Sequence, residues 1–176
     1  DGEISLFSNC FWGCGLDGDY GTEAAYGYYW AHNYRIIDIT NNIIQGGDAL
    51  INEGDTNTEL LKDVAEAKTF RAHAYFTLYR MFNNIYIKTT PTTPETAFDR
   101  PSEKSSKADI FELIRSDLSF ASDNLSYTTD QFGRWTKGAV DHLRAKVEIW
   151  DNNYAAAADI VDEIINDGPY SLVNVE

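Results

Sequence analysis

Aromatic and acidic side chains are concentrated, among several glycines, in residues 1–22. Flat aromatic faces stack on the C–H surfaces of sugar rings, and planar polar groups bind their paired hydroxyls, so this composition favours carbohydrate binding. Trp30 and Asn33, one turn apart at the start of the next predicted helix, would extend the same patch. The alternative is that the loop aromatics and Trp30 pack into the core. The candidate ligand-binding residues are Trp12, Asp17, Asp19, Tyr20, Trp30 and Asn33.

The same segment contains residues that superficially resemble metal ligands. The spacing Asp17-x-Asp19-x-Gly21-x-Glu23 is similar to part of a calcium loop, but it lacks the longer ligand run and the bidentate glutamate of an EF-hand. A turn followed by an acid at a helix start explains this spacing. Cys10 and Cys14 have no second ligand pair, so they are either free thiols or a local disulfide. We expect no metal and no cofactor.

No arrangement of residues in the sequence indicates catalysis. The histidines His32, His73 and His142 all fall in predicted helices, without a nucleophile beside them. The chain lacks a nucleophile elbow, a zinc-protease helix and a glycine-rich phosphate loop. Nothing selects a catalytic pair for glycoside hydrolysis from the 28 acidic residues. We therefore expect a protein that is not an enzyme.

The charge balance excludes two classes of partner. The 176 residues include 14 Lys and Arg against 28 Asp and Glu, which gives a formal net charge of −14. Nucleic-acid binding depends on neutralising phosphates with basic side chains, and anionic lipid attracts basic segments, so neither is an expected partner. No apolar run is long enough to span a bilayer. The length suits one domain with a sizeable core.

Apolar residues recurring at intervals of three and four predict an all-α fold of antiparallel helix pairs. Residues 1–22 have no such period and form an irregular loop segment, whereas residues 23–176 form the helical domain. The last helix is expected to turn inward the residues Tyr154, Ala157, Ala158, Val161, Ile164 and Ile165, and its alanines are typical of tetratricopeptide repeats. Helices are predicted at 23–45, ended by Gly46-Gly47, and at 58–82, 107–125, 136–150 and from 153 to Gly168-Pro169.

Several ordered motifs in these helices resemble one known family. The stretch EAKxFRAxAYFxL at 66–78 is similar to the central helix of the SusD/RagB family of Bacteroidota outer-membrane lipoproteins, and GRxTKGA at 133–139 is similar to its most recognisable loop-to-helix junction. A weaker match upstream is WxxxYxxIxxxN at 30–41. The other motifs are RPS at 100–102, IFxLIxxDLxxAxxxL at 110–125, AKV at 145–147, NYxxAA at 153–158 and IIxxGxYxL at 164–172.

The resemblance implies a cell-surface protein that captures oligosaccharide and passes it to a SusC-like TonB-dependent outer-membrane transporter. It implies a tetratricopeptide-like helical superhelix, no catalytic activity, and a membrane link only through a lipid anchor that this chain lacks. Family members are roughly three times longer, so we expect this chain to be an internal fragment. The structural roles implied for family positions are bonding across helices for Arg71, fixing the loop for Arg134, and a helix cap for Thr136.

Two other functions stay open at this point. The protein is either a peptide-binding member of the same family or a purely protein-binding helical-repeat adaptor. The helix after Gly138 also departs from the family pattern, because it contains Asp141, His142, Arg144 and Glu148 where relatives are almost wholly apolar. We expect these four side chains to face water or to be paired.

Overall fold

The computed structural model describes residues 21–99 and 103–171, and in these ranges it contains five helices and no strand. The all-α fold is confirmed. The predicted irregular segment 1–22 lies almost wholly outside the described residues, so the boundary after residue 22 stays a prediction. The helices are α1 (Gly21–Asn52), α2 (Thr58–Phe82), α3 (Lys107–Asn124), α4 (Lys137–Trp150) and α5 (Tyr154–Asp167).

Each helix packs on the next one along the chain. The short connections after α1 and α4 make antiparallel hairpins of α1 with α2 and of α4 with α5. The core lies among α1 to α4, and buried apolar side chains from all four helices fill it. Its largest members include Ile37, Tyr75, Phe76, Leu78, Ile110, Phe111, Ile114, Leu118, Val140 and Val147.

The glycine pair in α1 does not end the helix, so that prediction was wrong. The helix continues through Gly46 and Gly47 to Asn52. Gly47 is buried, and a Cβ atom placed on it would overlap Cγ2 of Val64 on α2. Glycine is therefore required at residue 47 for the close approach of two helices, and neither glycine has the positive φ of a helix terminus.

Two helix starts have side-chain caps, and the one at Thr136 confirms the expected role of that residue. Oγ of Ser106 accepts the backbone N–H of Asp109 at 3.1 Å, and Oγ1 of Thr136 accepts that of Ala139 at 3.4 Å. Both capping residues have extended backbone angles, as residues just before a helix do. These bonds satisfy N–H groups that have no partner inside the helix, and they define where α3 and α4 begin.

A buried ion pair joins α2 to α3. Arg71 is 5% exposed and Asp117 is 2% exposed. Nε and Nη2 of Arg71 donate to the two carboxylate oxygens of Asp117 at 2.8 and 2.7 Å, which is a bidentate arrangement. Nη1 of Arg71 donates to Oδ1 of Asn41 on α1 at 2.9 Å. The expected bonding of Arg71 across helices is confirmed, and it links three helices at one point.

The connection between α2 and α3 is irregular, yet its backbone is held against the helices. Oη of Tyr75 accepts the N–H of Lys88 at 2.7 Å and donates to the Lys88 carbonyl at 2.8 Å. Tyr34 makes the same two bonds with Tyr86, both at 2.9 Å, and Nδ2 of Asn41 donates to the Lys88 carbonyl at 2.9 Å. These side chains satisfy backbone groups that no helix or sheet pairs.

The outer face of α5 is more exposed than the apolar pattern predicts. Tyr154, Val161 and Ile165, which we expected to point inward, are all exposed, whereas Ala157 and Ile160 are buried. Among the described helices, α5 packs on α4. Only one side of α5 is therefore covered, although its apolar residues extend around a wider surface.

The charged residues of α4 are largely paired, as expected. Asp141 is fully buried, and its carboxylate accepts from Arg144 at 2.9 Å and lies 3.1 Å from Nζ of Lys137. Glu148 is buried and accepts from Arg115 of α3 at 2.7 Å. Polar side chains therefore replace apolar packing along part of the contact between α3 and α4.

Replacing Asp141 with asparagine is expected to make the free energy of unfolding depend less on pH in the acid range. Burial alone would raise the pKa of Asp141, but hydrogen bonds with Ser122, Arg144 and Lys137 lower it below the ordinary value. A lowered folded-state pKa stabilises the protein above the unfolded pKa of about 4, and this stabilisation is lost as the pH falls through the folded pKa. Asp141→Asn should lower the free energy of unfolding by on the order of 1 kcal/mol at pH 7. The difference between the free energies of the variant and wild type should become smaller towards pH 3.

Urea unfolding at pH 7, 5, 4 and 3 measures this difference directly. Asp123→Asn, which changes an exposed acid on α3, provides the control for a general change in net charge. A gap between Asp141→Asn and wild type that stays constant from pH 7 to 3 would contradict the lowered pKa.

Candidate ligand-binding site

The described residues include two of the six ligand candidates. Trp12, Asp17, Asp19 and Tyr20 lie outside the described residues, so their assignment stays a prediction. Trp30 and Asn33 both lie in the first half of α1.

Trp30 is half-buried in a cluster of aromatic rings at one end of the core. Its ring centroid lies 4.9 Å from that of Tyr34, 5.1 Å from Phe82 and 6.4 Å from Tyr86, with edge-to-face geometry to the last two. Asn33 is 6% exposed, and its Nδ2 donates to the Tyr29 carbonyl at 2.8 Å. These ring contacts pack Trp30 against the core, and the residue stays partly exposed.

The aromatic rings most exposed near Trp30 are two that the sequence did not single out as ligand candidates. Tyr28 is 65% exposed and Tyr29 is 42% exposed. The ring of Tyr28 stacks on that of His32, with centroids 5.6 Å apart and planes 13° from parallel. The sequence could have indicated their exposure, because three consecutive aromatic residues, at 28–30, cannot all lie on the buried face of a helix. Tyr28 and Tyr29 thus place exposed aromatic rings on other faces of α1 at this end of the helix.

The loop between α3 and α4 is bound to α2 by one arginine. Nε of Arg134 donates to Oε1 of Glu66 at 2.6 Å, and Nη2 donates to Oδ1 of Asp63 at 3.0 Å. Gly133, one residue earlier, has a φ of 91°, which favours glycine. The expected role of Arg134 in fixing the loop before Thr136 is confirmed.

The described residues contain no group of three or more His, Cys, Asp or Glu side chains that could hold a metal ion. His73 lies beside Trp135, with ring centroids 6.4 Å apart. Burial lowers its pKa, and the charges of Arg80 and Lys146 lower it further, so His73 is neutral at pH 7. Across the described ranges, no helix is long and apolar enough to cross a membrane.

Comparison with known protein families gives the identity of this fold. A model of SusD-like proteins, described as starch-binding and associating with the outer membrane, matches residues 9–149. The chain belongs to the SusD-like family. The matched region includes residues 9–22 of the N-terminal segment, the aromatic cluster around Trp30 and the loop held by Arg134.

Individual SusD-like relatives support the same assignment. A SusD-like protein of Bacteroides ovatus is 28% identical over 128 residues, which are 70% of this chain and 23% of that protein. A SusD-like protein of Formosa agariphila is 28% identical over 149 residues, which are 82% of this chain and 27% of that protein. The chain therefore spans about a quarter of the length of these relatives.

Solved SusD-like structures share the arrangement of helices. A laminarin-binding SusD-like protein superposes with a TM-score of 0.72 at 25% identity, over 82% of this chain and 32% of its own. A SusD homologue from Bacteroides thetaiotaomicron superposes with a TM-score of 0.74 at 26% identity, over 86% of this chain and 31% of its own. Both comparisons support the tetratricopeptide-like superhelix expected from the sequence.

Proposed function

We propose that this SusD-like chain binds oligosaccharide at the cell surface and passes it to a SusC-like TonB-dependent transporter of the outer membrane. The observation that carries this proposal is the family match over residues 9–149, whose description is starch binding in association with the outer membrane. Similarity to a laminarin-binding protein, at 25% identity, supports a glycan as the ligand. The sequence offers no catalytic constellation that would compete with this function.

The proposed glycan site is the aromatic surface at the N-terminal end of α1. Trp12 and Tyr20 would stack on sugar rings, with Asp17 and Asp19 binding their hydroxyls. The partly exposed Trp30 continues this surface on one face of α1, the exposed rings of Tyr28 and Tyr29 lie on other faces of the same helix end, and Asn33 lies one turn further along α1. Because packing against Tyr34 and Phe82 already fixes Trp30, little side-chain entropy is lost when a ligand stacks on it.

The proposed hand-over requires a second surface that contacts the transporter. In this proposal the helices dock on the SusC-like partner, and a lipid anchor in the parent protein holds the assembly at the outer-membrane surface. The net charge of −14 supports a protein partner over direct adsorption to anionic lipid. Affinity capture from native outer membranes with the parent protein as bait tests this step, and recovery of no TonB-dependent transporter would contradict it.

The substitution Trp12→Ala is expected to weaken glycan binding by on the order of tenfold or more, because a stacking tryptophan contributes at least about 1 to 2 kcal/mol. Calorimetric titration with maltohexaose and laminarihexaose measures the affinity. Trp150→Phe is the matched control, since Trp150 packs on Phe76 at the C-terminal end of α4, and its affinity should equal that of wild type.

Three outcomes would change the proposal. A glycan affinity in Trp12→Ala equal to that of wild type would remove the N-terminal segment from the site. A response to mixed peptides without a response to either glycan would place the protein among peptide-binding members of the family. If neither glycans nor peptides bind, the result would favour a helical-repeat adaptor whose partners are proteins.

A further inference from the structure

A cavity of about 370 Å³ lies between the first turns of α2 and the loop that joins α3 to α4. Its volume is in the range of small-molecule sites. Both walls contribute side chains with polar groups, and Trp135 contributes an aromatic ring. The lining includes Glu59, Ser126, Thr128, Asp130, Gln131 and Trp135.

Hydrogen bonds join the loop wall of this cavity to itself and to α2. The backbone N–H of Lys137 donates to the Ser126 carbonyl at 2.9 Å, which joins the two ends of the loop. Within the loop, Oγ1 of Thr129 accepts the N–H of Gln131 at 3.2 Å. Arg134 binds the loop to α2, as described above. The cavity is therefore shaped before any ligand arrives, which lowers the entropy cost of binding.

The two basic side chains that line the cavity are already paired with acidic ones. Arg134 donates to Glu66, and Nζ of Lys62 lies 2.8 Å from a carboxylate oxygen of Glu59. Because both cations are occupied and Asp130 adds a further negative charge, the cavity does not suit an anionic ligand. Its polar lining does not suit an apolar ligand either.

The other polar groups of the lining, in contrast, have hydrogen-bonding capacity to spare. In the part of the chain that the structure describes, the side chains of Thr128, Asp130 and Gln131 make no hydrogen bond, and neither does the indole N–H of Trp135. The edge-to-face contact of Trp135 with Phe70, at 5.7 Å between centroids, holds the indole in place. At the tip of the loop, Phe132 is fully exposed. A fixed indole, an amide, a carboxylate and hydroxyls are the groups that recognise sugar rings.

We infer that this cavity is a second carbohydrate subsite, which takes one or two units of a neutral oligosaccharide and uses Trp135 as its aromatic platform. Asp130 and Gln131 bind the sugar hydroxyls, and Phe132 contacts the neighbouring unit outside the cavity. This inference rests on the proposed glycan-binding function, but it requires no residue of the N-terminal segment.

The four tryptophans allow a test that reads each location separately. Indole N–H signals of the ¹⁵N-labelled 176-residue chain, assigned by Trp→Phe substitutions, report on Trp12, on Trp30, on Trp135 in the cavity and on Trp150 as a remote control. Maltohexaose and laminarihexaose are titrated separately. We expect at least one of them to shift the Trp135 signal saturably while the Trp150 signal stays in place.

Two variants separate the cavity from the N-terminal site. In Trp12→Ala the shift of the Trp135 signal should persist, whereas in the double variant Asp130→Ala/Gln131→Ala it should need at least about tenfold more glycan. Both substituted residues of the double variant are exposed, and an unchanged Trp150 signal verifies its fold.

Each alternative result has a defined meaning. A shift of the Trp12 signal alone would overturn the second subsite and leave the proposed function intact. A Trp135 shift that the double variant does not weaken would overturn the cavity as its cause. A Trp135 shift without any Trp12 shift would support the cavity and count against the N-terminal site. No shift of any indole signal with either glycan would overturn both proposals.

Discussion

Replacing Asp117 with alanine is expected to lower the free energy of unfolding by about 3–5 kcal/mol. The substitution leaves the guanidinium of Arg71 buried at 5% exposure and without its carboxylate. Only the bond to Asn41 would remain, at 2.9 Å. An uncompensated buried charge is costly because the interior screens it far less than water does. Urea unfolding followed by far-ultraviolet circular dichroism measures the loss.

Two further variants test whether the unpaired charge of Arg71 causes this loss of stability. Asp123→Ala removes an exposed acid from the same helix and should change stability by less than about 0.5 kcal/mol. The double variant Arg71→Met/Asp117→Leu removes both charges and should recover part of the loss, because apolar replacement of a buried pair is often close to neutral. Recovery is incomplete since Asn41 then loses a partner. A loss in Asp117→Ala as small as in Asp123→Ala would show that the unpaired charge of Arg71 does not destabilise the fold.

Much of the helical framework could be predicted because its residues obey local rules. Apolar side chains recur along α2 at intervals of three and four, and the helix spans Thr58–Phe82 as predicted. Ser106 and Thr136 could be identified as caps because each precedes an apolar-periodic stretch. The family motifs added roles that periodicity does not give. The buried position of Arg71, for instance, contradicts what its charge alone would suggest.

The connection between α2 and α3 and the cavity could not be predicted in the same way, because both depend on contacts between distant parts of the chain. Nothing local to Asn41 or Tyr75 indicates that their side chains bind the backbone of Lys88. Likewise, the periodicity of α2 places Phe70 on the inward face. It is 44% exposed, and it packs on Trp135 from the loop that precedes α4.

The two neighbouring glycines of α1, Gly46 and Gly47, have different surroundings. Replacing each with alanine should therefore change the free energy of unfolding in opposite directions. Gly46→Ala is expected to raise the free energy of unfolding by about 0.5–1 kcal/mol, since no atom lies within 4 Å of the added Cβ and alanine favours the helix. Gly47→Ala is expected to lower it by about 1–3 kcal/mol, because the Cβ overlaps the side chain of Val64.

A double-mutant cycle tests whether the overlap with Val64 causes the second effect. Val64 is branched at Cβ and fully buried, so it has little freedom to rotate away from the added methyl group. In the double variant Gly47→Ala/Val64→Ala the overlap is gone, and the cost of Gly47→Ala measured in that background should fall to about zero or become a gain. Thermal unfolding of the four proteins in this cycle gives the coupling. If Gly47→Ala is as favourable as Gly46→Ala in the wild-type background, the close approach of α1 and α2 at this point is not what requires glycine.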